Sequence, residues 1–398
     1  MPETLPLPCT GRYATEEELT ESLSRKGTAL PGSGLYPRDG TETVTAIESA
    51  ISEVTIPEQH LNVVVGAGMS AVSGAVRFGL ATTGNERGNP APLAHARELY
   101  EQSTRVFDNL RSIGVARTTF DSGDATSVGR VVAKNPGVIF AETVANTPGM
   151  PVLDVMELLE RTRTHASDKD RPIAVLDNTL PLSTGIDFNS MLTPDDRVLI
   201  VESPTKSAMH NGGLLGAVYS KNEELMDGFR KFKATEGLVT STQADQEILE
   251  ALEATIPGFH SRNRALFEST GRIAVALADA QAELGRSTDF TVDFPLLPNH
   301  DNYDYADEHL VNGVSPVVFM ACTNFEEGSA RNLYRRISKH PRILELINDG
   351  QIYGGQSFGF KEASLLYSHD ANYVRIAGGY DVDQDALADA IYEAAADA

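Results

Sequence analysis

Residues 173–216 read IAVLDNTLPLSTGIDFNSMLTPDDRVLIVESPTKSAMHNGGLLG. Two short apolar runs stand out, Ile173–Leu176 and Val198–Val201, each bounded by turn-forming residues. Such uninterrupted runs suit strands buried on both faces, as in a parallel sheet. The first run ends in Asp177, and the second leads into Ser203-Pro204-Thr205-Lys206. Parallel strands finish on one edge of their sheet. The acid and the lysine are therefore expected to project from a common edge, where open α/β folds bind their ligands.

Working outward, the same alternation continues on both sides. Upstream, Leu61–Val65 reads as a buried strand, Gly66-Ala67-Gly68 as a tight turn and Met69–Leu80 as a helix. A glycine-rich turn at a helix start offers free backbone N–H groups and the positive end of the helix dipole, a ready anion site. It also resembles a dinucleotide fingerprint, which requires an acid at the next strand end about 20 residues on. The corresponding stretch, TTGNERGNPAP, reads as a loop, and Glu86 is not at a strand end. A phosphate cradle for another cofactor fits better. Val44, Ile47 and Ile51 give residues 43–54 a helical period, and His95–Leu110 reads as a helix that carries Tyr100. Val138–Ala141 is a further strand and Val152–Glu160 a further helix. Lys221–Leu284 is almost continuously helical in pattern, broken at Pro257-Gly258. From Phe290 onward strand-like stretches (FTVDFPLL, PVVFMAC, NYVRIAGG) mix with helices at Ser329–Lys339 and Gln384–Ala396.

This pattern predicts an α/β fold: a mostly parallel central sheet with helices on both faces, plus a smaller C-terminal α+β domain. The expected division is an arm over residues 1–45, a large domain over 46–245 and a small domain over 246–398.

Composition narrows the function. The 398 residues carry 33 basic and 56 acidic side chains, a formal net charge of −23. Such a surface repels phosphate backbones, so no nucleic-acid partner is expected. The two cysteines, Cys9 and Cys322, are far apart and make neither a disulfide framework nor a metal cluster. Cys9 is expected to be exposed and Cys322 to fill a core position. No apolar run reaches membrane-spanning length, and the first residues lack a basic region followed by an apolar stretch. A cytoplasmic protein with no membrane partner is expected.

Asp177 and Lys206 on one edge suggest pyridoxal phosphate. Lys206 would form a Schiff base with its aldehyde, the Ser203 and Thr205 hydroxyls would take the phosphate, and Asp177 would face the pyridine nitrogen and keep it protonated. Alone, Ser-x-Thr-Lys reads more readily as a solvated surface lysine, with Asp177 capping a turn. A nucleotide-binding oxidoreductase built on Gly66-Ala67-Gly68, or a non-enzymatic protein of this fold, also stays open at this point.

An ordered set of segments from Tyr36 to the C-terminus resembles the Cys/Met-metabolism family of fold type I pyridoxal-phosphate enzymes, the cystathionine γ-synthases, cystathionine lyases and methionine γ-lyases. Tyr36-Pro37-Arg38 is similar to the family's Tyr-x-Arg, which reaches the cofactor phosphate of a neighbouring subunit. Gly66 to Ala71 is similar to its phosphate loop, with Gly68 and Met69 at the binding amides. Tyr100 stands where the family has a tyrosine stacked on the cofactor ring. Glu142 to Thr147 resembles Glu-Ser-Pro-x-Asn-Pro, with Asn146 near the phenolic oxygen. Asp177-Asn178-Thr179 and Ser203-Pro204-Thr205-Lys206 match Asp-Asn-Thr and Ser-x-Thr-Lys. Gln356 to Gly359, with Ser357, and Val374 to Gly378, with Arg375, resemble the segments that hold the substrate carboxylate.

What this resemblance implies is an enzyme acting on a small amino acid. Arg375 would grip the carboxylate with a two-point fork, Lys206 would take the α-proton, and Tyr100 would protonate the leaving group. A neighbour-reaching arm implies a homo-oligomer, at least a dimer and commonly a tetramer. The departures surround the substrate: Ser207 in place of an aromatic residue, a shortened loop over 208–213, and Glu101-Gln102-Ser103 in place of Gly-Gly-Thr. They point to a specialised γ-elimination or γ-replacement, on an amino acid such as an unsaturated or halogenated one. Lyases of cystathionine or methionine, by β- or γ-elimination, and an aminotransferase of the same fold are the alternatives.

Overall fold

The computed structural model describes residues 41–54, 60–164, 171–240, 242–284, 290–310, 312–323, 328–355, 357–368 and 371–397. Seven strands form the larger sheet: β1 (Leu61–Val65), β2 (Leu93–Ala96), β3 (Arg117–Phe120), β4 (Val138–Glu142), β5 (Ile173–Asp177), β6 (Val198–Glu202) and β7 (Gly216–Ser220). Their spatial order is β1-β7-β6-β5-β4-β2-β3. Pairings from β3 through β2, β4 and β5 to β6 are parallel, and β7 runs antiparallel to both β6 and β1. β4, β6 and β7 are buried along their whole length, and β5 is buried except at Asp177. The unbroken apolar runs follow from this, since a strand covered on both faces has no solvent side to alternate with.

Registers carry the chemistry to one edge. Glu142 at the end of β4 pairs with Asp177 at the end of β5, and Asp177 pairs with Val201, one residue before Glu202. Three carboxyls thus stand side by side where the parallel strands finish. The approach to β6 is anchored by Asp196, whose carboxylate accepts two bonds from Arg163 (2.8 and 2.7 Å) and one from Thr193 N (2.7 Å).

A second sheet holds β8 (Phe290–Asp293), β9 (Val317–Cys322), β10 (Ile352–Gly354), β11 (Ala363–Ser368) and β12 (Tyr373–Ala377), in the order β10-β11-β12-β9-β8. It is antiparallel apart from the β10–β11 pair. Helix Phe259–Leu284 packs along helix Gln384–Ala396 and touches β8 and β9. Cys322 is buried, as expected of a small core side chain. No helix among the described residues is long and apolar enough to cross a membrane.

Three local expectations need correction. His95–Leu110 is not one helix: β2 occupies Leu93–Ala96, and the helix begins at Glu101, with Tyr100 as its cap residue. His95 is buried against Phe107, so tertiary packing overrides the helical spacing. The helix after Gly68 runs to Arg87, taking in residues 82–87 of the expected loop, and ends on left-handed Gly88. Glu86 is therefore helical and pairs with Arg197 at 2.8 Å. Lys221–Leu284 divides into Glu223–Glu236, Thr242–Thr255 and Phe259–Leu284, because Gly237 (φ 69°) ends the first helix in addition to the break at Ile256–Gly258.

Candidate active site

A cavity of about 400 Å³ opens at the edge where β4, β5 and β6 finish. Its size falls in the range of about 300–1,000 Å³ typical of small-molecule sites. It is lined by Gly68, Met69, Tyr100, Glu142, Asn146, Asp177, Ser203, Thr205, Lys206, Ser357 and Arg375, among others. Segments hundreds of residues apart in sequence converge here. Tyr36 and Arg38 lie outside the described residues, as does Gln356.

The anion end is built by two chain segments in close contact. Helix Gly68–Arg87 starts in the cavity wall, and a Cβ on Gly68 would sit 2.7 Å from Ser203 Cβ and 2.9 Å from Ser203 Oγ. Only glycine lets the helix start lie this near the serine. The serine hydroxyl, the first-turn N–H groups and the helix dipole can then act on one anion. Thr205, expected at the phosphate, lines the cavity too. Its hydroxyl donates to Leu215 O at 3.2 Å and accepts from Leu215 N at 2.8 Å, so it ties the loop after Lys206 to the turn before it.

The acid end is buried. Asp177 accepts from Thr179 N at 3.0 Å, and burial pushes its carboxyl above the usual carboxylate range. Glu142 accepts from Tyr100 N at 2.6 Å and from Asn146 N at 2.9 Å, which pins two cavity segments to the end of β4. Burial, and then the Asp177 charge beside it, push Glu142 up to about 8. Glu202 accepts bonds from Ser183 Oγ and, at 3.2 Å, from Tyr219 OH; burial pushes it up to about 8 as well. A cationic ring nitrogen next to Asp177 would supply the compensating charge that its burial otherwise lacks.

The amine end has Lys206 in a short helical turn, Pro204–Ser207, directly after β6. Burial, and then the Arg375 charge, lower its pKa to about 8. Its Nζ donates to Asn211 Oδ1 at 2.6 Å and to Ser357 Oγ. Gly359 (φ 86°) lies against Lys206, where a Cβ would meet the Lys206 carbonyl at 2.4 Å. Arg375, in the middle of β12, is buried and donates to Asn146 Oδ1 at 3.4 Å. Burial lowers its pKa, while Tyr373, Tyr100 and Tyr353 oppose that. Tyr100 is partly exposed, and burial of its ring face raises its phenol, which keeps the proton on.

A glycine-lined anion cradle, a half-buried acid and a half-buried lysine of lowered basicity around one cavity fit pyridoxal phosphate. Two residues were not singled out from sequence. Glu202 sits one position beyond the run that was read as the strand, and only the structure shows it buried. Asn211 lies in a loop whose sequence signalled a departure but not a contact.

Comparison with known proteins agrees. The family model for Cys/Met metabolism PLP-dependent enzymes matches residues 13–338. An L-methionine γ-lyase of Fusobacterium nucleatum is 23% identical over 329 residues, covering 79% of this chain and 74% of the relative. A cystathionine β-lyase of Bacillus subtilis is 26% identical over 227 residues, covering 55% of this chain and 51% of the relative. The crystal structure of cystathionine γ-synthase from Xanthomonas oryzae pv. oryzae in complex with cystathionine superposes with a TM-score of 0.70 at 20% identity, covering 90% of this chain and 87% of the other.

Proposed function

The chain belongs to the Cys/Met-metabolism PLP-dependent enzymes, and from that premise we propose that it catalyses γ-elimination or γ-replacement on a small amino acid bearing a γ-leaving group. The observation that carries the proposal is the convergence of Asp177, Lys206 and Arg375 on one cavity. Pyridoxal phosphate, when bound, supplies an electron sink next to the substrate's α-carbon.

The chain's own residues do the rest. Gly68 and Met69 N–H groups with Ser203 Oγ would hold the phosphate, and Arg38 and Tyr36 of a neighbouring subunit would complete that end. Thr205 would shape the turn beneath it. Asp177 would keep the ring nitrogen protonated, Asn146 would stand near the phenolic oxygen, and Tyr100 would fix the ring's plane. Arg375 would take the substrate carboxylate as a fork, oriented by Asn146, with Ser357 alongside. Lys206 would carry the cofactor and, once displaced, take the α-proton. A pKa of about 8 leaves a useful neutral fraction near pH 7. Tyr100, still protonated, would donate to the departing group.

The rest of the cavity supports a small, singly charged substrate. Among the described lining residues the cations are Lys206 and Arg375, while Val144, Leu180, Leu214 and Phe358 are apolar and Gln102 is neutral. A second carboxylate, as in cystathionine, would find no further cation among them. The methionine γ-lyase relative supports sulfur amino acids as the neighbouring alternative. We assign the active form to a homo-oligomer of the cytoplasm, with the arm over residues 1–45 serving the adjacent site. A steady-state screen of methionine, cystathionine, O-acylhomoserines and unsaturated or halogenated γ-substituted amino acids tests the proposal. Turnover of cystathionine alone overturns the small-substrate reading, and exchange of amino groups with a keto acid in place of elimination makes the protein an aminotransferase.

A further inference from the structure

Asn211 is tied at both side-chain polar atoms and at its main-chain N–H. Its Oδ1 accepts from Lys206 Nζ at 2.6 Å and from Ser357 Oγ at 2.8 Å. Its Nδ2 donates to the Phe358 carbonyl at 2.9 Å, and its main-chain N donates to Thr205 O at 2.7 Å. The partners dictate the amide's orientation, because the reverse would set an NH₂ against an amine and an oxygen against a carbonyl. The chain reaches this position through two successive left-handed residues, His210 (φ 48°) and Asn211 (φ 60°). Side chains other than glycine seldom adopt that region, and asparagine is among the more tolerant. The loop therefore doubles back to set residue 211 beside the lysine's side chain.

We propose that Asn211 is a positioning residue that receives the Lys206 amine each time substrate displaces it from the cofactor; this rests on the reading of Lys206 as the cofactor-bearing lysine. A lysine in that role must leave, stay within reach and return. The released amine lies 5.8 Å from the Phe358 ring centroid and in the field of Arg375, which repels it. The ionisable groups lining the same cavity from the other strands are Glu142 on β4 and Asp177 on β5, with Tyr100 at its helix start. A neutral amide holds the amine without fixing its proton, whereas a carboxylate at that position would lock it as the ammonium.

The test uses the full-length holoenzyme titrated with glycine, which carries no leaving group, and reads the absorbance change as Lys206 is displaced. N211G removes the amide yet keeps a residue suited to the left-handed backbone. It is expected to weaken glycine binding about tenfold, the loss of one hydrogen bond to a charged or partly charged amine. N211D keeps an acceptor toward Lys206 but turns its other oxygen toward the Phe358 carbonyl, so it recovers the binding only in part, and it moves the pH midpoint of displacement up by about one unit. Glycine affinity in N211G equal to that of the natural protein, or an unmoved midpoint in N211D, overturns the inference. Absence of any glycine-dependent change in the natural protein instead overturns the reading of Lys206 itself. Should N211G fail to fold by circular dichroism, N211D decides.

Discussion

Alanine at position 68 probes the anion cradle where sequence and geometry meet most closely. The new Cβ would lie 2.7 Å from Ser203 Cβ and 2.9 Å from Ser203 Oγ. Carbon atoms in contact settle at about 3.5–4.0 Å, so the helix start and the turn after β6 must part by about 1 Å. Overpacking of this kind costs about 1–3 kcal/mol. The parting separates the first-turn N–H groups from the serine hydroxyl, and if the whole cost falls on the cofactor-binding geometry, affinity drops about 5- to 150-fold at about 1.4 kcal/mol per decade. The assay is titration of the apoenzyme with pyridoxal phosphate, followed by absorbance, with a thermal melt in parallel. G271A is the control, since a Cβ at this mid-helix glycine meets nothing within 4 Å. Alanine there should hold the helix as well as or better than glycine, by up to about 1 kcal/mol. An unchanged affinity for pyridoxal phosphate in G68A would refute the reasoning about the cradle.

Three further outcomes follow from the geometry. Glu202 has a folded-state pKa of about 8, above its ordinary value of 4.5, so its contribution to stability is present in full below about pH 4.5 and is lost as pH rises toward 8. E202Q should flatten part of the fall of stability with pH across that window, the remainder coming from Glu142, Asp177 and the other carboxyls that burial raises; urea melts at stepped pH would show it, and an unaltered slope would count against a protonated Glu202. R375K keeps the charge but loses the fork, so KM for an amino-acid substrate should rise about 10- to 100-fold with the thermal midpoint little changed. D196A removes the carboxylate that pairs with the partly exposed Arg163 and the largely covered Arg171, and should cost about 2–3 kcal/mol at pH 7. Burial alone would raise the Asp196 pKa, but Arg163 and Thr193 outweigh it and lower it. Its stabilisation is therefore present above about pH 3.8 and fades below, and the D196A deficit should shrink in acid.

The architecture was legible because strands buried on both faces write themselves as unbroken apolar runs, as Ile173–Leu176 and Val198–Val201 do. Turn chemistry supplied the rest: Gly68 at a helix start, Asp177 and Lys206 at strand ends. Where local and tertiary signals conflict, the reading failed. His95 fits a helical period but is held in β2 by stacking on Phe107. The short strands β3, β10 and β11 were missed, since three to six residues with mixed burial leave no clear period. Glu202 and Asn211 were missed for a different reason. Burial of a carboxyl under Ser183 and Tyr219, and the return of a loop onto a lysine, are long-range facts that no local pattern encodes.

The covalent partner of the cofactor can be identified directly. Borohydride reduction of the purified holoenzyme, followed by proteolysis and peptide mass mapping, should place a pyridoxyl group on Lys206 and abolish the visible absorbance band. A pyridoxyl group on any other lysine, or none at all in protein shown to contain bound pyridoxal phosphate, would contradict the account.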